Sequence, residues 1–323
     1  MAGTTSTTLR PFPPGARCDD DVIGAVVGVP SSAGSPNPGA ENGPYFIRTL
    51  MRQFTWSASE PAIHPVTDAA GILDGVVDLG DINPGTLDAS GVADLVASVV
   101  ERMPVDAAPC IIGGDHSITA GAIRALRGRV GGPLRVLQFD QHLDVQTWPS
   151  ANGGLDDLFH TNVMSHVASI IGDGQVIQVG LAPYSTRERN GAISSLPGQA
   201  TGRVPVHASA IDDDDAFGSL VGSGHPLYVT VDVDVLSASE MSATGYPAVI
   251  GLPARRLLRL LEVAVRANVL VGFDVVEFAA HRDDRDPKVL ADAARAATVF
   301  LHLLSLLREQ HTGRKNDDDQ HRD

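Results

Sequence analysis

The chain has 323 residues, 43% of them hydrophobic, a formal net charge of −15 and a mean hydropathy of +0.04. That apolar content suffices for one α/β core larger than the ~150-residue norm, while the negative balance argues against nucleic acid or an anionic membrane as partner. Two cysteines, Cys18 and Cys110, are too few for a disulfide framework, and no apolar run reaches the ~20 residues of a membrane span, so a cytoplasmic chain is expected.

Taken in order, the first 15 residues carry Thr, Ser and Pro without an apolar signal core, and 1–17 is expected to be a flexible arm. A first strand is expected at 22–29. Residues 89–102 read as a helix, with Leu95, Val96, Val99 and Val100 as its apolar stripe. Cys110-Ile111-Ile112 then leads into Gly113-Gly114-Asp115-His116-Ser117, followed by a helix over 118–129. The run Arg135–Phe139 leads into Asp140-Gln141-His142-Leu143-Asp144, and a loop over 146–158, with Pro149 and Gly153-Gly154, is expected to shape an entrance on the same face. A helix should start near Asn162, a strand should span 176–181, and Leu227–Val231 leads into Asp232-Val233-Asp234. Helices over 254–267 and 289–307 close the pattern, which predicts a three-layer α/β/α sandwich with a mostly parallel sheet. The domain is drawn at 18–308, with 309–323 as a disordered acidic tail. The acidic clusters at 212–215 and 317–319 read as solvated surface.

The chemistry lies in the three blocks at strand ends. Side chains alternate along a strand, so Asp140, His142 and Asp144 are expected on one side, as are Asp232 and Asp234. Each block alone has a bland reading as a loop, a bulge or a helix cap. Together they place four carboxylates and two imidazoles where open α/β sheets bind ligands, at the carboxyl ends of strands. Such a cluster is costly to desolvate, and two divalent cations would balance its four negative charges. A carboxylate-rich set with some imidazole suits hard ions such as manganese, and neither cysteine lies among the ligands. Two adjacent cations would ionise a shared water near neutral pH and make it a nucleophile.

With these blocks, the chain resembles the ureohydrolases, the family of arginase and agmatinase. The resemblance also rests on Gly28-Val29-Pro30, on 38–44 with Ile47-Arg48, on Asp78-Leu79-Gly80-Asp81, on Thr244-Gly245-Tyr246-Pro247 and on 272–277, and it spans about 23–307. It implies a binuclear manganese enzyme that releases urea from a guanidino compound, and a homo-trimer or homo-hexamer. One Mn2+ would be held by His116, Asp140, Asp144 and Asp232. The other would be held by His142, Asp140, Asp232 and Asp234, with Asp140 and Asp232 bridging. Asp144 would orient the attacking hydroxide, Glu277 would bind the guanidinium, and His160 would pass a proton to the leaving amine.

The chain also departs from the family pattern. Gln141 stands where an alanine is usual, Ser237-Ala238 where Asp-Pro is, Tyr246 where a threonine is, and Ala279-Ala280 where Asn-Pro is. Leu181-Ala182 lacks the arginine common in agmatinases, and Gln146 replaces the asparagine by which arginases grip an α-carboxylate. Tyr246 and Gln146 are therefore expected to reshape the substrate pocket. Agmatine-like compounds or guanidino acids are the expected substrates. A formimidoylglutamate-type hydrolase, or a catalytically weak paralogue partnering others in an oligomer, is the alternative.

Overall fold

The computed structural model describes residues 10–11, 22–54, 73, 75–146, 155–182 and 203–320. Nine strands are described: β1 (Arg10–Pro11), β2 (Gly24–Gly28), β3 (Val76–Asp81), β4 (Ala108–Ile112), β5 (Arg135–Phe139), β6 (Val176–Leu181), β7 (Arg203–Pro205), β8 (Pro226–Asp232) and β9 (Val269–Val276). They form one sheet in the order β1-β3-β2-β4-β9-β8-β5-β6-β7, with every neighbouring pair parallel.

Strands buried on both faces need apolar side chains at successive positions, and these have them. In β8, Leu227, Val229 and Val231 join one core while Tyr228 joins the other; in β4, Cys110 and Ile112 oppose Ile111. Helices Gly43–Phe54, Ala254–Ala267 and Pro287–Gln320 cover the first face. Helices Ala89–Arg102, Thr119–Arg127 and Val163–Ile171 cover the second. The three-layer sandwich is as expected.

Arg10 and Pro11 pair with Val77 and Asp78 at the sheet edge. The last helix does not stop near 307 but continues to Gln320. Gln310 shows why: its amide bonds Val265 O and receives the N–H of Leu270, anchoring the extra turns to the sheet. By length and composition, Pro287–Gly313 could cross a membrane, with a mean hydropathy of 1.5. Asp292, Arg295 and His302 interrupt its apolar sequence, and Ala293, Phe300, Leu304 and Leu307 pack into the core, as in the core helix of a sandwich.

Four central neighbours, β4, β9, β8 and β5, carry the chemistry. The chain leaves their carboxyl ends at residues 112, 276, 232 and 139, each within a few positions of a candidate residue.

Candidate metal centre

The spacing of two residues within each acidic block arises from turns rather than from strand alternation. Strand β5 ends at Phe139 and β8 at Asp232, so Asp140 to Asp144 and Asp234 lie beyond the pleat. Asp140 Oδ1 accepts the N–H of His142 at 2.6 Å, Asp232 Oδ1 that of Asp234 at 2.8 Å, and Asp115 Oδ1 that of Ser117 at 3.0 Å. Aspartate readily closes such a turn on the backbone two residues ahead, which fixes one carboxylate oxygen and aims the other. Asp144 and Glu277 both adopt left-handed backbone, with φ of 52° and 64°. Non-glycine residues there cost about 1–3 kcal/mol and concentrate at functional sites.

Two groups of converging ligand atoms result, and both could hold a metal ion: His116, Asp140 and Asp232, and Asp140, His142 and Asp234. Asp140 is common to both, whereas Asp232 stands only with the first. His116 Nδ1 is surrounded by carboxylate oxygens of Asp144 at 3.0 Å, Asp140 at 3.2 Å and Asp232 at 3.5 Å. None is aligned as a hydrogen-bond partner, leaving this fully buried nitrogen unsatisfied. Atoms that crowd together without bonding one another are what a shared cation requires. His142 Nδ1 lies 3.1 Å from Asp234 and 3.4 Å from Asp140. The residues present therefore fit a pair of divalent ions.

The electrostatics agree. Burial, then the charges of Asp234 and Asp140, push Asp232 well above the usual carboxylate range. Burial and Asp140 raise Asp144 to about 7, and the same two causes raise Asp234 to about 6. Burial also opposes ionisation of Asp140, but His116 and His142 outweigh it and hold this carboxyl well below its ordinary value. Both histidines are raised in turn: burial disfavours their charge, and the surrounding carboxylates overcome it. Two imidazoles against four buried carboxylates still leave the centre short of positive charge, which bound cations would supply.

A buried polar layer supports these residues, and sequence reasoning missed it. His116 Nε2 lies 2.9 Å from Thr230 Oγ1. Gln138 Nε2 donates to Asp140 Oδ2 at 2.6 Å, and Gln178 Nε2 donates to Gln138 Oε1 at 2.6 Å. Asp274 accepts from Thr119 and Tyr228 at 2.8 and 2.7 Å. The signal was a polar residue inside each apolar run (Gln138 in β5, Gln178 in β6, Thr230 in β8), where isolated polar groups are rarely tolerated without partners.

The other site candidates gather at one side. Glu277 Oε1 accepts the N–H of His116 at 2.8 Å and lies 3.3 Å from His160 Nδ1. Burial opposes protonation of His160, but the hydrogen bond to Glu277 and the charges of Glu277, Asp144 and Asp115 raise its pKa. The His160 N–H bonds Gly34 O at 3.0 Å, and the Gly34 N–H bonds Asp115 at 2.9 Å. Tyr246, 45% exposed, stacks on His160 at 6.2 Å and meets His142 edge-on at 5.8 Å. Gln146 is exposed and holds Thr161 O through its backbone; most of the expected entrance loop, 147–154, lies outside the described residues.

Taken together, a parallel α/β/α sandwich carries a candidate metal centre with a shared carboxylate at its central strand ends, an arrangement suited to metal-dependent hydrolysis. The Arginase family model matches residues 23–304, and the chain belongs to that family of hydrolases. The chain is 32% identical to the proclavaminate amidinohydrolase of Streptomyces clavuligerus over 271 residues, which is 80% of each chain. It is 28% identical to the agmatinase of Edwardsiella ictaluri over 291 residues, 88% of each. The solved proclavaminate amidino hydrolase of S. clavuligerus superposes with a TM-score of 0.72 at 28% identity, covering 93% of this chain and 95% of that one.

Proposed function

We propose that the protein is a binuclear manganese amidinohydrolase that releases urea from a guanidino compound, either agmatine-like or a guanidino acid. The carrying observation is the pairing of two ligand groups through Asp140 with a Glu277–His160 pair beside them. The relatives named agmatinase and proclavaminate amidinohydrolase support this substrate class. On this reading, Asp144 joins His116, Asp140 and Asp232 at one ion, and Asp234 and His142 complete the other.

When bound, the two cations supply a water that ionises near neutral pH. The protein supplies the rest. Glu277 accepts hydrogen bonds from the planar guanidinium and holds its carbon over the centre. Asp144 accepts a hydrogen bond from the attacking water and orients it. His160, kept protonated by Glu277, gives its proton to the departing amine. Tyr246 and Gln146 contact the substrate arm. We place the enzyme in the cytoplasm, as a single catalytic domain over 18–308 in a homo-trimer or homo-hexamer, as the family resemblance implies.

The test is urea release from manganese-loaded protein against agmatine, guanidinobutyrate, guanidinopropionate and arginine. Turnover of a guanidino amine or acid is expected. No turnover by a sample shown to hold two ions per chain, together with release of formamide from formimidoylglutamate, would replace this reading with the formimidoyl hydrolase.

A further inference from the structure

The segment 241–246, which ends on Tyr246, is fastened at three places by residues that are not themselves candidate metal ligands. At its root, Asp292 Oδ2 accepts the Ser242 N–H at 2.7 Å, the Ser242 hydroxyl at 2.9 Å and the Ala243 N–H at 3.0 Å. Asp292 is 1% exposed, and its other oxygen meets Arg295 at 3.1 Å, so the carboxylate is fully committed to this junction. In the middle, Ala243 O accepts the Ala279 N–H at 2.9 Å, and Thr244 bridges Phe278, the residue after Glu277. At the tip, the Gln141 side-chain amide donates to Tyr246 O, while the Gln141 backbone N–H bonds Asp234 at 3.3 Å.

Each anchor has a consequence for Tyr246. Its ring touches both His142, on the metal side, and His160, on the proton-donor side. A guanidinium bound between Glu277 and the ions must pass its substituent by this ring. With its backbone anchored and its ring set against both histidines, Tyr246 narrows the path beside them, and a second substituent on the guanidino nitrogens would meet the ring first.

We propose that Asp292 and Gln141 are positioning residues that fix Tyr246 as the outer wall of the substrate entrance, and that this wall selects guanidines bearing a single unbranched arm. This rests on the guanidino-hydrolase reading given above. Asp292 acts through backbone that it clamps, and Gln141 couples the wall to the ligand block it belongs to.

Hydrogen exchange and kinetics on the metal-loaded enzyme test it together. Asp292→Asn and Gln141→Ala should each speed amide exchange within 242–246 by ~10-fold or more, with metal content unchanged. Tyr246→Thr should raise the kcat/KM ratio of an N′-methylated guanidino substrate over its linear parent by ~10-fold or more, the worth of one methyl against a wall. Asp292→Asn should raise the same ratio in the wild-type background but not in the Tyr246→Thr background. Unchanged exchange in both positioning variants, or an equal shift of the ratio in both backgrounds, overturns the proposal. Should Asp292→Asn fail to fold, Gln141→Ala reads the same wall without touching the last helix. If the wild type cleaves no guanidine at all, the functional reading fails, while the exchange data still decide whether the clamp exists.

Discussion

Glu277 and His116 are joined by a 2.8 Å hydrogen bond from the His116 backbone N–H to Glu277 Oε1. The residue proposed to bind the guanidinium is thus tied to the block that holds a candidate metal ligand, although 161 positions separate them. The bond crosses from the end of β4 to the end of β9, which are neighbours in the sheet. On the proposed function, substrate orientation and metal geometry would share one support.

Glu277→Gln keeps an acceptor for the His116 N–H but removes the charge. A hydrogen bond to a charged group contributes ~1.5–3 kcal/mol, so kcat/KM for the guanidino substrate should fall by ~10- to 150-fold with metal content intact. Steady-state kinetics with elemental analysis read both, and a change below twofold would remove Glu277 from substrate binding.

The same substitution tests the proton donor. Glu277 raises the His160 pKa, so in metal-free protein Glu277→Gln should lower the midpoint seen by NMR titration of the His160 ring. The sign for stability follows. A raised folded pKa gives stabilisation that is fully present below the unfolded imidazole value of ~6.5 and lost as pH rises through the folded one. This contribution should shrink in the variant. An unmoved His160 midpoint would show that the 3.3 Å contact carries no charge coupling.

Thr230→Val removes the partner of His116 Nε2 at nearly constant volume. Loss of such an outer partner costs ~10- to 100-fold in metal affinity. Manganese titration should show one weakened site, that of His116, and one unchanged site, that of His142. Two equally weakened sites would contradict separate ligand groups joined only through Asp140.

Asp140→Ala removes the carboxylate common to both groups. Bound manganese should fall to near zero and urea release should vanish. A variant that retains two ions and full turnover refutes the shared centre.

Gly34→Ala probes the support of His160. A Cβ at this glycine would meet Ser117 Cβ and Oγ at 2.6 Å and Asp115 Oδ1 at 2.7 Å. Overpacking of this kind costs ~1–3 kcal/mol, and the displaced Gly34 carbonyl would release the His160 N–H. Denaturant unfolding should register the loss of stability, and kcat should drop more than KM rises.

Much of this could be read from the chain because apolar runs and polar interruptions are local. The strands before His116, Asp140 and Asp232 announce themselves, and residue type alone points to divalent cations. The arrangement of the ligands is less accessible. Asp-x-His-x-Asp fits a strand and an aspartate turn equally well on paper, and only the end of β5 at Phe139 decides between them. The left-handed backbone of Glu277 has no signature in residue type, and that of Asp144 only the weak tolerance of aspartate for this region. Asp292 reads as an ordinary polar position on a helix until the fold brings Ser242 against it, 50 residues away in sequence. The helical turns beyond 307 depend likewise on Gln310 reaching a distant strand end.

The order of the sheet bears on how the protein is made. His116, Asp140, Asp232 and Glu277 emerge from four adjacent strands, yet the chain must be synthesised past residue 232 before either ligand group is complete. A cation that binds only the finished arrangement shifts the equilibrium toward it by mass action and leaves partly formed chains alone. With cations bound as proposed, metal supply would bear on how much mature protein accumulates, apart from any effect on turnover.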